Sequence, residues 1–318
     1  MVGKTDLNKG FNIFSEIIKI FKKGKITKSR DVAYFELSNI CNAKCIFCPY
    51  PLIYKQKKLG YMSDEIFYKS LERAYELGYT KLNFTPTTGE LLLHEKWHEF
   101  IQHTLNDKRT ESVYFYSNAI LLNDDAADKI ISFQNPEKIF AIFFSVGGVD
   151  TDSYELMYGV DKFATVCANI NNLCEKLAKH NSNIKINCEL RMPKHIRPDI
   201  KQMRLLLNQV CYKNFNLSYI NNYDNIGGMI GSKYLKYLPE KAKSAPCYRL
   251  NDIRFDIHGD VWACGCVVTE QGNNSDLIIG NTDNDPSLLA AKHTAILSNW
   301  NTKSIPNVCE QCKLYKAT

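Results

Sequence analysis

The 318-residue chain is 45% hydrophobic and 23% charged with a formal net charge of +6, the composition of an ordinary globular protein long enough for one large domain and a small one. A membrane span and a secretory signal are excluded: the longest strongly apolar stretch, Ile139 to Val146, is far too short for a bilayer, and no continuous apolar run opens the chain. Twelve cysteines without an export signal point to metal or redox use in a reducing, cytoplasmic compartment and away from disulfides.

Residues 11–23 place Phe11, Phe14, Ile17, Ile18 and Phe21 on one helical face, with Lys19, Lys22 and Lys23 elsewhere. This segment reads as a helix packed on the body of the protein, or as one lying on an anionic membrane or a partner. The mild positive excess is local, since Lys19, Lys22, Lys23, Lys25, Lys28 and Arg30 all precede the first strand. No arginine-rich patch with interleaved aromatics suggests a nucleic-acid groove.

From residue 31 strands and helices alternate. The predicted strands are 32–37, 81–85, 112–117, 138–146, 184–190 and 214–220. One predicted helix opens at Ser63-Asp64-Glu65 and ends at Gly78; others span approximately 95–106, 124–133, 162–179 and 198–210. Six β–α repeats with apolar strands imply an α/β fold with a parallel sheet buried on both faces. After about residue 230, helices give way to a cysteine-containing segment with Gly, Asn and Asp turns. The expected organisation is an amphipathic segment over 1–30, a β–α domain over 31–230 and a small cysteine-rich domain over 231–318.

The loop after the first strand is the most informative stretch. Cys41, Cys45 and Cys48 follow a C-x3-C-x2-C spacing. Three thiolates on one loop can hold three irons of a cubane cluster and leave the fourth open, whereas a structural site is closed by a fourth residue. The next histidine, His94, is far downstream. A zinc site is the other reading of the same residues.

This run resembles the signature of the radical S-adenosylmethionine (radical SAM) superfamily, with Phe47 in the aromatic position before the third cysteine. The resemblance implies a partial (β/α)6 TIM-like barrel and a [4Fe-4S] cluster on Cys41, Cys45 and Cys48. It also implies SAM chelated at the open iron and reductive cleavage to a 5′-deoxyadenosyl radical. The electron would come from a donor such as flavodoxin or ferredoxin.

In parallel barrels the chemistry sits at the carboxyl ends of the strands. After the second strand, Thr87-Thr88-Gly89-Glu90 resembles the family's Gly-Gly-Glu motif, whose backbone and acid bind the SAM amino group; Thr88 stands where glycine is usual. Ser117-Asn118, after the third, is similar to the family's Thr-Asn pair. Ser145, followed by Gly147-Gly148-Val149-Asp150, looks like the family's Ser-x-Asp-Gly segment, with Gly147 in place of the aspartate. Only Ser145 is carried over, as a contact to the SAM ribose or carboxylate. After the fifth strand come Glu189 and Arg191, and an arginine there can pair bidentately with a carboxylate of SAM or substrate. After the sixth come Tyr219, Asn221, Asn222 and then Gly227-Gly228, a loop whose backbone can approach the adenine.

The tail holds Cys247, then Cys264, then, after 44 residues, Cys309 and Cys312 in a C-x2-C pair. Four thiolates complete one cluster or one zinc ribbon. The spacing resembles the auxiliary-cluster region of SPASM/twitch radical SAM enzymes. The chain stops six residues after Cys312, which favours the shorter twitch form with a second [4Fe-4S] cluster on these four cysteines. A closed cluster can carry one electron. Cys266 reads as a swapped ligand, a thiol hydrogen-atom donor or a structural residue. Cys167, Cys174, Cys188 and Cys211 fall in predicted helices or strands and read as small hydrophobes.

The nearest functional precedent in the family is a twitch dehydrogenase acting on an amino-cyclitol alcohol. The first reading is therefore oxidation of a polar small-molecule alcohol such as a sugar or cyclitol, with the auxiliary cluster accepting an electron and a base removing the hydroxyl proton. Glu189, Arg191, Tyr50 and Tyr54 are pocket residues by position. The second reading is epimerisation or crosslinking of a ribosomal peptide; the roughly 30 residues before the first strand are too few for a leader-recognition domain, which weighs against it. A non-catalytic adaptor with two zinc sites is the reading from another class.

Overall fold

The computed structural model describes residues 31–55, 58–265, 276–301 and 304–317. The amphipathic segment 11–23 and Cys266 lie outside the described residues. The six predicted strands are present as β1 (Ala33–Phe35), β2 (Lys81–Asn83), β3 (Ser112–Ser117), β4 (Ile139–Gly147), β5 (Ile186–Arg191) and β6 (Phe215–Ile220). Each runs parallel to its neighbour, so their carboxyl ends share one rim. Three further strands, β7 (Ile253–Phe255), β8 (Asp260–Trp262) and β9 (Ile278–Asn281), give the sheet the order β6-β5-β4-β3-β2-β1-β7-β8-β9.

The helices on the outer side are α1 (Tyr50–Ile53), α2 (Asp64–Glu76), α3 (Trp97–Asn106), α4 (Asp124–Ile131), α5 (Thr151–Tyr158), α6 (Phe163–Lys179) and α7 (Ile200–Leu207). Their starts are set by short polar side chains that satisfy backbone donors of the first turn. Ser63 accepts from the N–H of Ile66, Asn123 from Ala126 and Asp199 from Gln202. At the start of α5, Asp150 and Ser153 cap one another's backbone in a capping box. Gly78, with φ of 86°, turns the chain out of α2 towards β2.

The sheet faces differ from the expectation. Along β3 and β5 burial alternates: Val113, Phe115, Cys188 and Leu190 pack under helices, while Tyr114, Tyr116, Asn187, Glu189 and Arg191 are only half-buried. The inner face is therefore a half-exposed surface of polar and aromatic side chains instead of a second apolar layer. An open barrel leaves room there for a ligand.

The tail also differs. The expected turns, with short strands among them, run as far as residue 285 among the described residues, but α8 (Pro286–Asn301) and the short α9 (Asn307–Gln311) follow them. Nor does the tail build a separate sheet: β7 pairs in parallel with β1, and β8 and β9 continue from it antiparallel. The β7–β8 turn is held by Asp256, whose carboxylate accepts from the N–H groups of His258 and Asp260 and from the Trp262 indole. Gly259 supplies the left-handed residue of that turn, with φ of 82°. Cys211, expected within a regular element, sits exposed in the turn after α7 with φ of 54°.

Phe35 is the hub of the core. Its ring lies 5.4 Å from Phe84, 5.3 Å from Phe255 and 6.1 Å from Phe67, joining β1 to the end of β2, to β7 and to α2. Phe67 in turn stacks on Phe100 of α3 at 4.0 Å. Such pairs add roughly 0.5–1.5 kcal/mol each to the burial itself. Because Phe35 is wholly buried, Phe35→Ala should cost about 3–5 kcal/mol in denaturant unfolding. A loss below about 1 kcal/mol would mean that the β1–β7 junction carries little of the stability.

Candidate functional site

The cysteine loop leaves β1 at Leu37 and is fixed from several sides. Asn39 clamps the loop's base, donating to the Lys58 carbonyl at 3.1 Å and accepting from the Gly60 N–H at 2.8 Å. The N–H groups of Lys44 and Ile46, on either side of Cys45, donate to the Tyr158 and Met157 carbonyls at 2.8 and 3.0 Å. These are carbonyls of the last turn of α5, which the helix itself leaves without partners. Cys48 N–H closes a turn on the Cys45 carbonyl at 3.1 Å, and the Tyr50 N–H points at the Cys48 sulfur at 3.5 Å. Tyr50 and Tyr54 both lie at α1, their rings 5.7 Å apart.

The loop after β2 presses against the same segment. A Cβ on Gly89 would stand 2.0 Å from the Ser38 carbonyl oxygen, so only glycine allows the approach. Thr88 beside it is buried, and the Glu90 N–H donates to the Ile40 carbonyl at 2.8 Å. The Glu90 carboxylate is occupied within the protein: it accepts from Ser117 Oγ at 2.7 Å, from the Asn118 N–H at 2.9 Å and from the Leu92 N–H at 3.1 Å. Burial raises its pKa and these donors oppose the rise. Asn118 then reaches the cysteine loop, donating to Asn42 Oδ1 at 2.7 Å. Glu90, Ser117 and Asn118 are thus knitted to one another and to the loop. A carboxylate has about four lone-pair directions, and three are used.

A second network lies beside Cys45. Arg191 donates from Nε to Ser145 Oγ at 2.9 Å and from Nη2 to Glu189 at 2.9 Å. Tyr158 donates to the same Ser145 oxygen at 2.7 Å, and Tyr116 donates to Glu189 at 3.3 Å. The Arg191 guanidinium stands 5.8 Å from the Phe47 ring. Phe47 stacks on Tyr223 at 5.5 Å and meets Tyr158 edge-on at 5.6 Å. Ser145, Glu189, Arg191 and Phe47 are therefore gathered at one place from three separate segments. Tyr116, Tyr158 and Tyr223 were not anticipated from the sequence. Tyr219 is exposed, and Asn221 and Asn222 are half-buried beyond β6.

Burial raises the Cys41 thiol to about 12, with the Glu90 charge adding to the rise. Burial also raises Cys45, helped by the charges of Cys48 and Cys41 and opposed by Arg191. The three sulfurs therefore share one electrostatic neighbourhood. A bound metal would favour the thiolate form of such groups.

The tail cysteines form another group. Cys247 precedes a 3-10 turn and pairs through its backbone with Ala317; Cys309 lies on α9 and Cys312 at its end. Burial raises Cys309 to about 12, and the charges of Cys312 and Cys247 contribute, so these three are neighbours. Cys264 is buried just after β8. Lys243 donates to the Cys312 carbonyl at 2.6 Å, and its ammonium lies over the Tyr315 ring at 4.6 Å. The loop after β6 abuts this group, since a Cβ on Gly227 would stand 2.6 Å from the Gln311 side chain.

Residues 35–186 match the family model of the radical SAM superfamily. The chain carries a radical SAM domain. The match covers the cysteine loop, Gly89, Glu90, Ser117, Asn118 and Ser145, and stops short of Glu189, Arg191 and the tail cysteines. No curated protein matches the chain in sequence. Among solved structures, BtrN in complex with AdoMet and 2-DOIA is 14% identical, with a TM-score of 0.52 over 90% of this chain and 93% of its own. Streptococcus suis SuiB bound to precursor peptide SuiA is 13% identical, with a TM-score of 0.59 over 98% of this chain and 76% of its own. The anSMEcpe structure with bound AdoMet is 14% identical, with a TM-score of 0.53 over 89% of this chain and 88% of its own. At these identities the likeness is one of fold.

The residues of the radical SAM loop fit the group that the family implies. Three cysteines that form no disulfide lie on this one loop, and two buried donors near them, Asn42 Nδ2 and the Tyr154 hydroxyl, have no hydrogen-bond partner among the described residues. Among those residues no three cysteine, histidine or carboxylate groups converge on a point that would hold a single metal ion. A four-iron cluster asks for a different arrangement, each thiolate on an iron of its own.

Gly89 gives the sharpest test of this construction. Gly89→Ala has to push the loop off Ser38, and should lower iron retention at the Cys41, Cys45 and Cys48 site about tenfold while the helical circular dichroism is kept. Unchanged iron binding would show that the contact between these loops does not position the thiols.

Proposed function

We propose that the protein is a radical SAM oxidoreductase acting on a polar small-molecule alcohol such as a sugar or cyclitol. The observation that carries this reading is the Glu189–Arg191 pair on the polar inner face, hydrogen-bonded to Ser145 and Tyr116 and reaching the Cys45 loop through Phe47. BtrN, seen with AdoMet and 2-DOIA, matches over 90% of this chain and supports the same reading.

A [4Fe-4S] cluster on Cys41, Cys45 and Cys48 with SAM would supply a hydrogen-abstracting radical, and a second cluster on Cys247, Cys264, Cys309 and Cys312 would take up an electron. The chain's own residues do the rest. Ser145 and Arg191 orient an anionic or hydroxyl group of SAM or substrate beside Phe47. Ser145 Oγ accepts two hydrogen bonds, which leaves its own proton for a ligand. Glu189 receives the hydroxyl proton of the substrate, while Arg191 and Tyr116 hold its carboxylate in place. Thr88 and Gly89 offer backbone groups at the rim. Glu90, Ser117 and Asn118 act by holding the cysteine loop.

Peptide modification is the second reading. SuiB with its precursor peptide matches over 98% of this chain, and β6 leaves Asn216 and Ser218 exposed at the open edge of the sheet. An extended chain could enter along that edge.

The test is anaerobic turnover with both clusters reconstituted. Cys309→Ala with Cys312→Ala should still form 5′-deoxyadenosine, uncoupled from product, and polyols or amino-cyclitols should stimulate product only in the unaltered protein. Ketone product in the double variant would remove the electron-accepting role. Turnover of a precursor peptide alone would replace the first reading by the second.

A further inference from the structure

Tyr154 lies one turn before the end of α5, and it is fully buried. Its ring stacks on Tyr158 at 4.9 Å and tilts against Phe163 at 5.8 Å. A phenylalanine would make both contacts. The hydroxyl, however, has no hydrogen-bond partner among the described residues. A buried hydroxyl without a partner is costly, and native structures rarely keep one that does nothing.

The surroundings show where this hydroxyl points its influence. The last turn of α5 receives the N–H groups of Lys44 and Ile46, so the Cys45 segment lies directly on the helix that carries Tyr154. A Cβ on Gly159 would stand 2.9 Å from the Lys44 carbonyl, which shows how closely the two pack. After burial, the charge that acts most on Tyr154 is that of Cys45, followed by Cys167, Glu90 and Cys41. Glu90 already accepts from Ser117, Asn118 and Leu92. The Cys48 sulfur has the Tyr50 N–H. Tyr158, the other tyrosine of α5, already spends its hydroxyl proton on Ser145 Oγ.

We propose that Tyr154 is a hydrogen-bond donor to the sulfur of the iron–sulfur group held by Cys41, Cys45 and Cys48, on its Cys45 side. This rests on the radical SAM reading of that loop. Tyr154 is then a positioning residue that acts on the potential and not on substrate. A donor to a cluster sulfur favours the more negative, reduced form, so losing it makes reduction harder. The hydroxyl matched by sulfur in the loaded protein is unmatched in the metal-free one.

The experiment uses Tyr154→Phe in the Cys309→Ala, Cys312→Ala chain, reconstituted anaerobically, so that a single cluster is observed. It is titrated with Ti(III) as the one-electron reductant and read by electron paramagnetic resonance. At the midpoint of the parent chain, the ratio of reduced to oxidised cluster should fall about fivefold, the scale of one ordinary intramolecular hydrogen bond. In urea the metal-free Tyr154→Phe protein should be at least as stable as its parent, whereas the loaded one should lose iron faster. Tyr212→Phe is the control: its hydroxyl is bonded to the Ser182 and Ile184 carbonyls, away from the loop. An unchanged midpoint with a full complement of iron overturns the proposal and leaves the cluster in place. A parent chain with no signal that depends on Cys41, Cys45 and Cys48 overturns the cluster reading and the proposal with it.

Discussion

Two backbone hydrogen bonds hold the centre of this molecule. The N–H groups of Lys44 and Ile46 dock on the carbonyls of Tyr158 and Met157, where α5 ends and its carbonyls need partners. Cys45 is thereby fixed between them. On the opposite side Gly89 lets the loop after β2 touch Ser38, and Asn118 reaches Asn42. Three strand ends thus converge on one cysteine loop. None of these contacts is made by a thiol, so the loop is shaped before any metal arrives. That preformed shape limits the ordering that metal binding must achieve.

The electrostatics follow from the same burial. Desolvation pushes Cys41 and Cys45 up, and the thiols reinforce one another. Arg191 is the cation that opposes this at Cys45, and it is itself held by Glu189 and Ser145. A single arginine therefore links the cysteine loop, the Phe47 ring and the polar inner face. Glu189 belongs to the same network, its carboxylate committed to Arg191 and Tyr116.

Much of this was legible because it is local. The spacing of Cys41, Cys45 and Cys48 and the alternation of β1 to β6 with helices are short-range patterns. Ser145, Glu189 and Arg191 could be placed because strand ends are predictable. What was not legible depends on distant partners or weak patterns. α5 carries Tyr154, Met157 and Tyr158 in a short run of mixed polarity, and its one sequence sign was the Asp150–Ser153 capping box. α8 was missed although Asp285-Pro286 is a start signal, since its apolar residues do not fall on a single stripe. Arg254, buried on β7, donates to Thr87 at 2.6 Å and lies 4.5 Å from the Trp262 ring. Those residues meet only because β7 joins the sheet beside β1. The family motif assigned Glu90 to the SAM amino group, and its commitment to Ser117, Asn118 and Leu92 could be seen only in three dimensions.

The claim on which the rest depends is an iron at the first cysteine loop that no protein side chain occupies. Electron–nuclear double resonance of the reduced cluster, with SAM carrying 15N in its amino group and 17O in its carboxylate, addresses that iron directly. Hyperfine coupling to both labels, lost when Cys45 is replaced by alanine, is the predicted result. Stoichiometric zinc at the loop, or an iron signal indifferent to either label, would contradict it.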